Sequence, residues 1–121
     1  DIVRMRPAIR RVPHVRHLYK YLDIPLPPGK RFVFRTDKGY VGIEAASLYE
    51  LCRLLPTLPV ESLEYHDRRE DFVKWAESTL GDAGLALRLR KVANRHYQGE
   101  ELREALEQVV STHYEEIRRL R

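Results

Sequence analysis

The sequence has few of the features that mark secreted or membrane proteins. Its 121 residues include one cysteine, Cys52, so an internal disulfide is impossible and disulfide-built secreted scaffolds are excluded. No apolar run approaches the roughly 18 residues that a membrane-spanning helix needs, and no signal-peptide core is recognisable. These absences predict a soluble cytoplasmic protein with no membrane partner.

The common motifs of catalytic and cofactor-binding sites are also missing. The sequence contains no phosphate-binding loop of the Walker type, no GxGxxG stretch and no nucleophile elbow. His14 and His17 are spaced to share a metal ion, but no cysteine pair or carboxylate cluster lies near them in the sequence to complete a site. We therefore expect a protein that is not an enzyme, with no metal, no cofactor and no small-molecule substrate.

What the sequence does have is an uneven distribution of charge. Residues 1–40 carry ten lysines and arginines against three aspartates, a net charge of +7. The remaining residues carry twelve basic and fifteen acidic side chains, a net charge of −3. Clustered positive charge attracts polyanions over about 8–10 Å in physiological salt. The asymmetry indicates a basic arm joined to a mildly acidic body.

The basic arm comprises residues 1–22. Pro7 and Pro13 favour an extended conformation over residues 1–13, and the apolar spacing of residues 14–24 predicts a short amphipathic helix. We interpret the arm as binding RNA rather than DNA, because the sequence has no helix-turn-helix, zinc-finger or ribbon motif. Its predicted phosphate contacts are Arg4, Arg6, Arg10, Arg11, Arg16 and Lys20. A solvated tail, or a tail docked on the acidic body of this same chain, is the alternative.

Two further groups of basic residues extend the predicted nucleic-acid surface. One group shares a face of a predicted helix at i, i+3, i+7 spacing: Arg88, Lys91 and Arg95. The other group lies at the start of a predicted hairpin: Lys30, Arg31 and Arg35. For the helical group the alternative is an ordinary solvated face, paired with neighbouring glutamates.

Residues 31–45 have the pattern of a β-hairpin. Phe32 and Phe34 alternate with Val33 and Arg35, and Gly39 suits the positive φ of a tight turn before residues 40–45 return. Two strands alone are marginally stable, so we expect the hairpin to pack on helices, with both phenylalanines facing the core.

From Ser47 onward the apolar spacing predicts helices. Ser47 and Glu50 have the spacing of a capping box, and Asp82 is placed to cap a later helix. The predicted helical segments are residues 47–55, 60–68, 70–80, 85–97 and 100–121. The predicted fold class is α+β, mainly helical, with an N-terminal β-hairpin packed on about five helices and preceded by an extended basic arm. Residues 1–22 form the arm with its short helix, and residues 23–121 a single compact domain.

Residues 64–72, EYHDRREDF, are the best candidates for acid–base chemistry. They bring His66 close in sequence to four carboxylates: Glu64, Asp67, Glu70 and Asp71. Short charged turns between helices commonly have this composition, and a catalytic role needs a positioned partner and a substrate cleft. We therefore expect His66 to be structural. A small ligand-binding or enzymatic module around His66 is the less favoured alternative.

Four short motifs between Phe32 and Val92 resemble those of a known family. They are SLxEL from Ser47, SLEYH at residues 62–66, DFxxW from Asp71 and LGDxxLA from Leu80. The region resembles a prokaryotic, largely archaeal family of domains of unknown function. The resemblance implies an α+β or mainly helical module and carries no assigned activity, so no catalytic residue follows from it. The basic arm lies outside the region of resemblance.

Charge pattern and missing catalytic motifs together predict a small structural or accessory RNA-binding protein, associated with the ribosome. Its partners would be RNA, foremost ribosomal RNA, and neighbouring proteins of a larger assembly. A protein–protein adaptor that uses the C-terminal helix, residues 100–121, is the alternative from another class. That alternative is favoured if the isolated protein dimerises or if the apolar face of this helix is exposed.

Overall fold

The computed structural model describes residues 22–120. Within that range two strands, β1 (Phe32–Thr36) and β2 (Gly39–Ala45), precede α1 (Leu48–Leu54), α2 (Val60–Arg68), α3 (Asp71–Lys74), α4 (Ala83–Arg95) and α5 (Gly99–Arg119). The predicted fold class is confirmed, because an antiparallel hairpin packs against five helices. The predictions for six arm residues fall outside the described range: Arg4, Arg6, Arg10, Arg11, Arg16 and Lys20.

The hairpin turns its aromatic side chains toward the helices. β1 and β2 pair antiparallel with Thr36 opposite Gly39, whose φ of 120° glycine adopts without strain. Phe32 and Phe34 are both buried, as predicted. The Phe32 ring stacks on the ring of Phe72 from α3, with the centroids 4.8 Å apart. Aromatic packing thus attaches the two strands to the helical layer.

Side-chain caps define where α1 and α4 begin. The Ser47 hydroxyl accepts a hydrogen bond from the Glu50 N–H at 3.1 Å, and the Glu50 carboxylate accepts one from the Ala46 N–H at 2.8 Å. The Asp82 carboxylate accepts one from the Leu85 N–H at 3.0 Å. Each cap of this kind stabilises a helix by about 1 kcal/mol. Both capping predictions are confirmed, although Glu50 bonds one residue earlier than a standard capping box requires.

The helix predicted over residues 70–80 is not regular. Its α-helical part, α3, ends at Lys74, and Trp75–Thr79 form a wider π-helical turn in which the Leu80 N–H donates to the Trp75 carbonyl at 3.1 Å. The indole Nε1–H of Trp75 donates to the Lys30 carbonyl at 3.0 Å. The irregular turn thus coincides with a contact to the segment before β1, which local spacing could not reveal.

α5 lies at the centre of the helical layer. It packs on α1, α2 and α4. Four apolar side chains of α5 are buried: Leu102, Leu106, Val110 and Ile117. Leu22, which the sequence-based division assigns to the arm, is also fully buried in this core. The folded core therefore begins no later than Leu22.

Candidate functional site

A groove between α4 and α5, which we call the basic groove, brings three predicted nucleic-acid contacts together. They are Arg88, Lys91 and Arg95. The other lining residues are apolar or uncharged: Val92, Tyr97, Ala105, Gln108, Val109 and Thr112. The groove has a volume of about 530 Å³. The helical spacing of the three cations therefore produces one positively charged wall.

The cations of the basic groove differ in their partners. Arg88 forms an ion pair with Glu116 at 3.0 Å. Lys91 and Arg95 have no carboxylate within ion-pairing distance among residues 22–120. The Arg95 guanidinium lies over the Tyr97 ring, 5.7 Å from its centroid. Two of the three positive charges are therefore available to an anion.

A buried network behind the groove holds Arg88 in place. His113 Nδ1 accepts a hydrogen bond from Arg88 Nη1 at 3.2 Å, so its proton lies on Nε2, which donates to Asp82 at 2.7 Å. Burial acts to raise the pKa of Asp82, but hydrogen bonds from His113 and the Leu85 N–H outweigh it, and the pKa is lowered. Sequence reasoning missed this network because His113 and Asp82 are 31 residues apart.

The predicted hairpin cations do not form a single cluster. Arg31 and Arg35 line a shallow cleft beside His66, with a volume of about 270 Å³, whereas Lys30 is exposed outside that cleft. Arg31 Nε donates to the Leu26 carbonyl at 2.8 Å, so its guanidinium supports the chain before β1. The hairpin thus places Arg31 and Arg35 at one cleft and leaves Lys30 apart from them.

His66 is buried where α2 meets β1, and both of its ring nitrogens are engaged. Nε2 accepts a hydrogen bond from the Arg35 N–H at 2.9 Å, so Nδ1 carries the proton and donates to the Asp71 carboxylate at 2.8 Å. Burial lowers the pKa of His66 more than Asp71 raises it, which favours the neutral ring. His66 ties the hairpin to the helices through these two bonds.

A second depression, which we call the polar cavity, lies where the turn between α2 and α3 meets the loop between α4 and α5. Its volume is about 580 Å³. Its lining residues are Glu64, Asp67, Arg68, Glu70, Ala93, Asn94, His96, Tyr97 and Gln98. The acid–base segment of residues 64–72 is therefore divided. His66 and Asp71 pair beside the hairpin, and the other three carboxylates line the polar cavity.

The three carboxylates of the polar cavity have different surroundings. Glu64 accepts a hydrogen bond from the Gly99 N–H at 2.7 Å, at the start of α5. Glu70 lies 4.0 Å from Arg90 Nε. Asp67 is buried, and burial raises its pKa to about 6. The density of acids in the sequence indicated these residues, but the cavity itself was missed because its opposite wall comes from residues 93–98.

Among residues 22–120 there is neither a cluster of metal-ligating side chains nor a reactive thiol. No group of three histidine, cysteine, aspartate or glutamate side chains within residues 22–120 is arranged to hold a metal ion. Burial raises the pKa of the Cys52 thiol to about 11, with a further contribution from Glu115, so the thiol stays protonated at neutral pH. No helix in the same range is long and apolar enough to cross a membrane.

Comparisons with known proteins bear on the domain that contains these sites. No curated protein and no solved structure matches the sequence. A family of unknown function, DUF5752, matches residues 29–121 and so covers the hairpin and all five helices described above. The matched residues include the region between Phe32 and Val92 and continue through α5, and residues 1–22 of the basic arm lie outside the match. The chain belongs to the DUF5752 family of unknown function.

Proposed function

We propose that this protein is a small structural or accessory RNA-binding protein that contacts phosphates through its basic groove and its basic arm. The observation that carries the proposal is that Lys91 and Arg95 line one wall of the groove, and that its lining within residues 22–120 includes no carboxylate. Ammonium and guanidinium groups bind phosphate oxygens, and guanidinium does so with two parallel hydrogen bonds.

The floor of the basic groove suits a nucleic acid better than a simple anion. Val92, Tyr97 and Val109 provide apolar and aromatic surface on which a ribose or an unpaired base can pack. Arg95 already lies over the Tyr97 ring, and a guanidinium can stack on a base in the same way. Phosphate contacts and stacking are therefore both provided along one groove.

The further contacts, the partners and the cellular location in this proposal are inferred from the sequence. The six basic residues of the arm between Arg4 and Lys20 add phosphate contacts, and Lys30, Arg31 and Arg35 are secondary contacts. Ribosomal RNA and neighbouring proteins of the ribosome are the proposed partners. A cytoplasmic location, where a lone thiol such as Cys52 stays reduced, and a largely archaeal distribution of the family complete the proposal.

Neither alternative function gains support from a specific contact. The adaptor alternative is favoured by an exposed apolar face on the C-terminal helix, whereas Leu102, Leu106 and Val110 of α5 are buried in the core. The alternative module around His66 is favoured by a closed pocket around that residue, whereas His66 lies beside a shallow cleft and both of its ring nitrogens are bonded within the fold. The contacts within residues 22–120 therefore support RNA binding through the basic groove better than either alternative.

Salt dependence of RNA binding by the full chain tests the proposal. A double variant, Lys91→Gln with Arg95→Gln, removes two cations from the groove, and Lys38→Gln with Lys74→Gln removes two exposed cations outside it. Each lost phosphate contact should make the log–log slope shallower by about 0.7–0.9. We expect a change of about 1.5 for the groove variant and little change for the control.

Fluorescence anisotropy of a labelled hairpin RNA, titrated at several salt concentrations, measures both slopes. Six arm cations alone would give the unmodified chain a slope of roughly −4 to −5. Equal slopes in the two double variants would show that Lys91 and Arg95 do not contact phosphates. Binding that does not respond to salt would contradict phosphate contacts altogether.

A further inference from the structure

The polar cavity is lined by Asp67, a largely buried residue whose carboxylate has no hydrogen-bond donor within residues 22–120. Asp67 is 7% exposed, and no donor among residues 22–120 bonds to its side chain. Asp82, the other buried aspartate of this range, accepts hydrogen bonds from Leu85 and His113. Buried carboxylates are normally satisfied as Asp82 is, whereas the Asp67 oxygens have no protein donor within residues 22–120 and remain open to the cavity. Asp67 therefore offers an acceptor to a ligand.

The charge of the polar cavity favours a cation. Glu64, Asp67 and Glu70 line it together with Arg68 and His96, and Glu70 also lies 4.0 Å from Arg90 Nε. Arg68 Nη2 lies 3.9 Å from the carboxylate of Asp37 in the hairpin turn, so its charge is shared with an acid outside the cavity. Glu64 and Asp67 have no cationic side chain within ion-pairing distance among residues 22–120, so a cation would find complementary charge there.

The backbone beside the polar cavity adopts an uncommon conformation. Glu70 and His96 have φ angles of 59° and 56°, and they are the non-glycine residues with positive φ among those described. Both line the cavity, one from the turn after α2 and the other from the end of α4. Left-handed conformations at such residues are unfavourable and collect at functional sites.

We propose that the polar cavity binds a guanidinium group, with Asp67 as its principal acceptor. An organic cation fits the cavity better than a metal ion, because no trio of metal-ligating side chains occurs within residues 22–120. A guanidinium presents a planar fork of N–H donors to a carboxylate, and its faces stack on rings such as that of Tyr97. The group belongs either to a free small molecule or to an arginine side chain. The proposal is independent of RNA binding.

Titration of the full chain with methylguanidinium tests the proposal, and N-methylurea is its neutral isostere. Carbon-detected NMR of the side-chain carboxyls reports directly on Asp67. We expect a saturable shift of the Asp67 carboxyl with methylguanidinium and none with N-methylurea. Asp67→Asn should weaken binding at least tenfold, because a charged hydrogen-bond acceptor is lost. Glu61→Gln removes an exposed carboxylate of α2 outside the cavity and should change nothing.

A second variant, Glu70→Gln, keeps the test decisive if Asp67→Asn does not fold, and it should weaken binding several-fold. Agmatine and an arginine-containing tripeptide amide distinguish the two sources of the guanidinium. Tighter binding of agmatine indicates a free small molecule, and tighter binding of the tripeptide indicates an arginine side chain. The proposal is overturned if methylguanidinium gives no saturable shift, if N-methylurea reproduces the shift, or if binding survives in whichever cavity variants fold.

Discussion

The basic groove and the polar cavity share Tyr97 as a wall but carry opposite charge. Among residues 22–120, Lys91 and Arg95 of the groove have no ion-pair partner, and Asp67 of the cavity has no hydrogen-bond donor. An exposed cation keeps its water and costs little, but a buried carboxylate loses most of its hydration. The groove is therefore suited to a salt-sensitive polyanion, and the cavity to a single desolvated cation.

The largest expected effect comes from breaking the support of the basic groove. Asp82→Ala removes the cap of α4 and leaves buried His113 without its acceptor, so we expect a loss of about 3 kcal/mol in the free energy of unfolding. Ser47→Ala removes only the cap of α1 and should cost about 1 kcal/mol. Chemical denaturation of both variants measures the difference. Equal losses would mean that the His113 pair adds no stability.

The contribution of Asp82 should also depend on pH. Because folding lowers the pKa of this carboxyl below its ordinary 3.8, its stabilising effect is complete above that value and is lost as pH falls through the folded pKa. The difference between the unmodified chain and Asp82→Ala should therefore shrink below about pH 4. A difference that stays constant down to pH 2 would contradict the assignment.

Removal of the Asp67 charge from the polar cavity should raise the free energy of unfolding, whereas removal of Asp82 lowers it. Burial raises the pKa of Asp67 from 3.8 to about 6, so its charge destabilises the fold progressively as pH rises between these values. Asp67→Asn should raise the free energy of unfolding by about 1–2 kcal/mol at pH 7 and by much less near pH 4. Asp37→Asn, at an exposed aspartate of the hairpin turn, should change little. Denaturation curves at both pH values measure these free energies of unfolding. An unchanged value for Asp67→Asn would contradict the claim that burial makes the charged form of Asp67 unfavourable.

The smallest expected effect concerns the backbone at the rim of the cavity. Glycine adopts the left-handed conformation of Glu70 without strain, so Glu70→Gly should stabilise the fold by about 0.5–1 kcal/mol. Glu61→Gly, at a helical position of α2, should destabilise it by a similar amount. Thermal denaturation of the pair measures this contrast. A loss of stability in both variants would show that the Glu70 side chain makes contacts that outweigh its backbone strain.

The parts of the fold that the sequence predicted depend on contacts within a few residues. Ser47 and Asp82 cap helices whose bonded N–H groups lie three residues downstream. Phe32 and Phe34 are buried by the alternation of one strand. The groove cations were found in the same way, because i, i+3, i+7 spacing places side chains on one helical face. Periodicity and capping are local signals and can be read without the fold.

The parts that were not predicted depend on contacts between distant residues. The His113–Asp82 bond spans 31 residues, and the Trp75–Lys30 bond beside the π-helical turn spans 45. Left-handed conformation at His96 has no local signal either, because glycine is the usual residue at such a helix end. The polar cavity could not be predicted for the same two reasons. Its walls come from helix ends that are distant in the sequence, and His96, one of its lining residues, has a left-handed conformation without a local signal.

Mapping of the RNA contact on the full chain shows whether RNA binds in the basic groove. Amide chemical shifts of the isotope-labelled protein, titrated with hairpin RNA, report the two depressions separately. If RNA binds in the basic groove, we expect saturable shifts at Lys91, Arg95 and Val109, and small shifts at Glu64 and Asp67 of the polar cavity. Shifts concentrated at the polar cavity, with none along the groove, would contradict RNA binding in the groove.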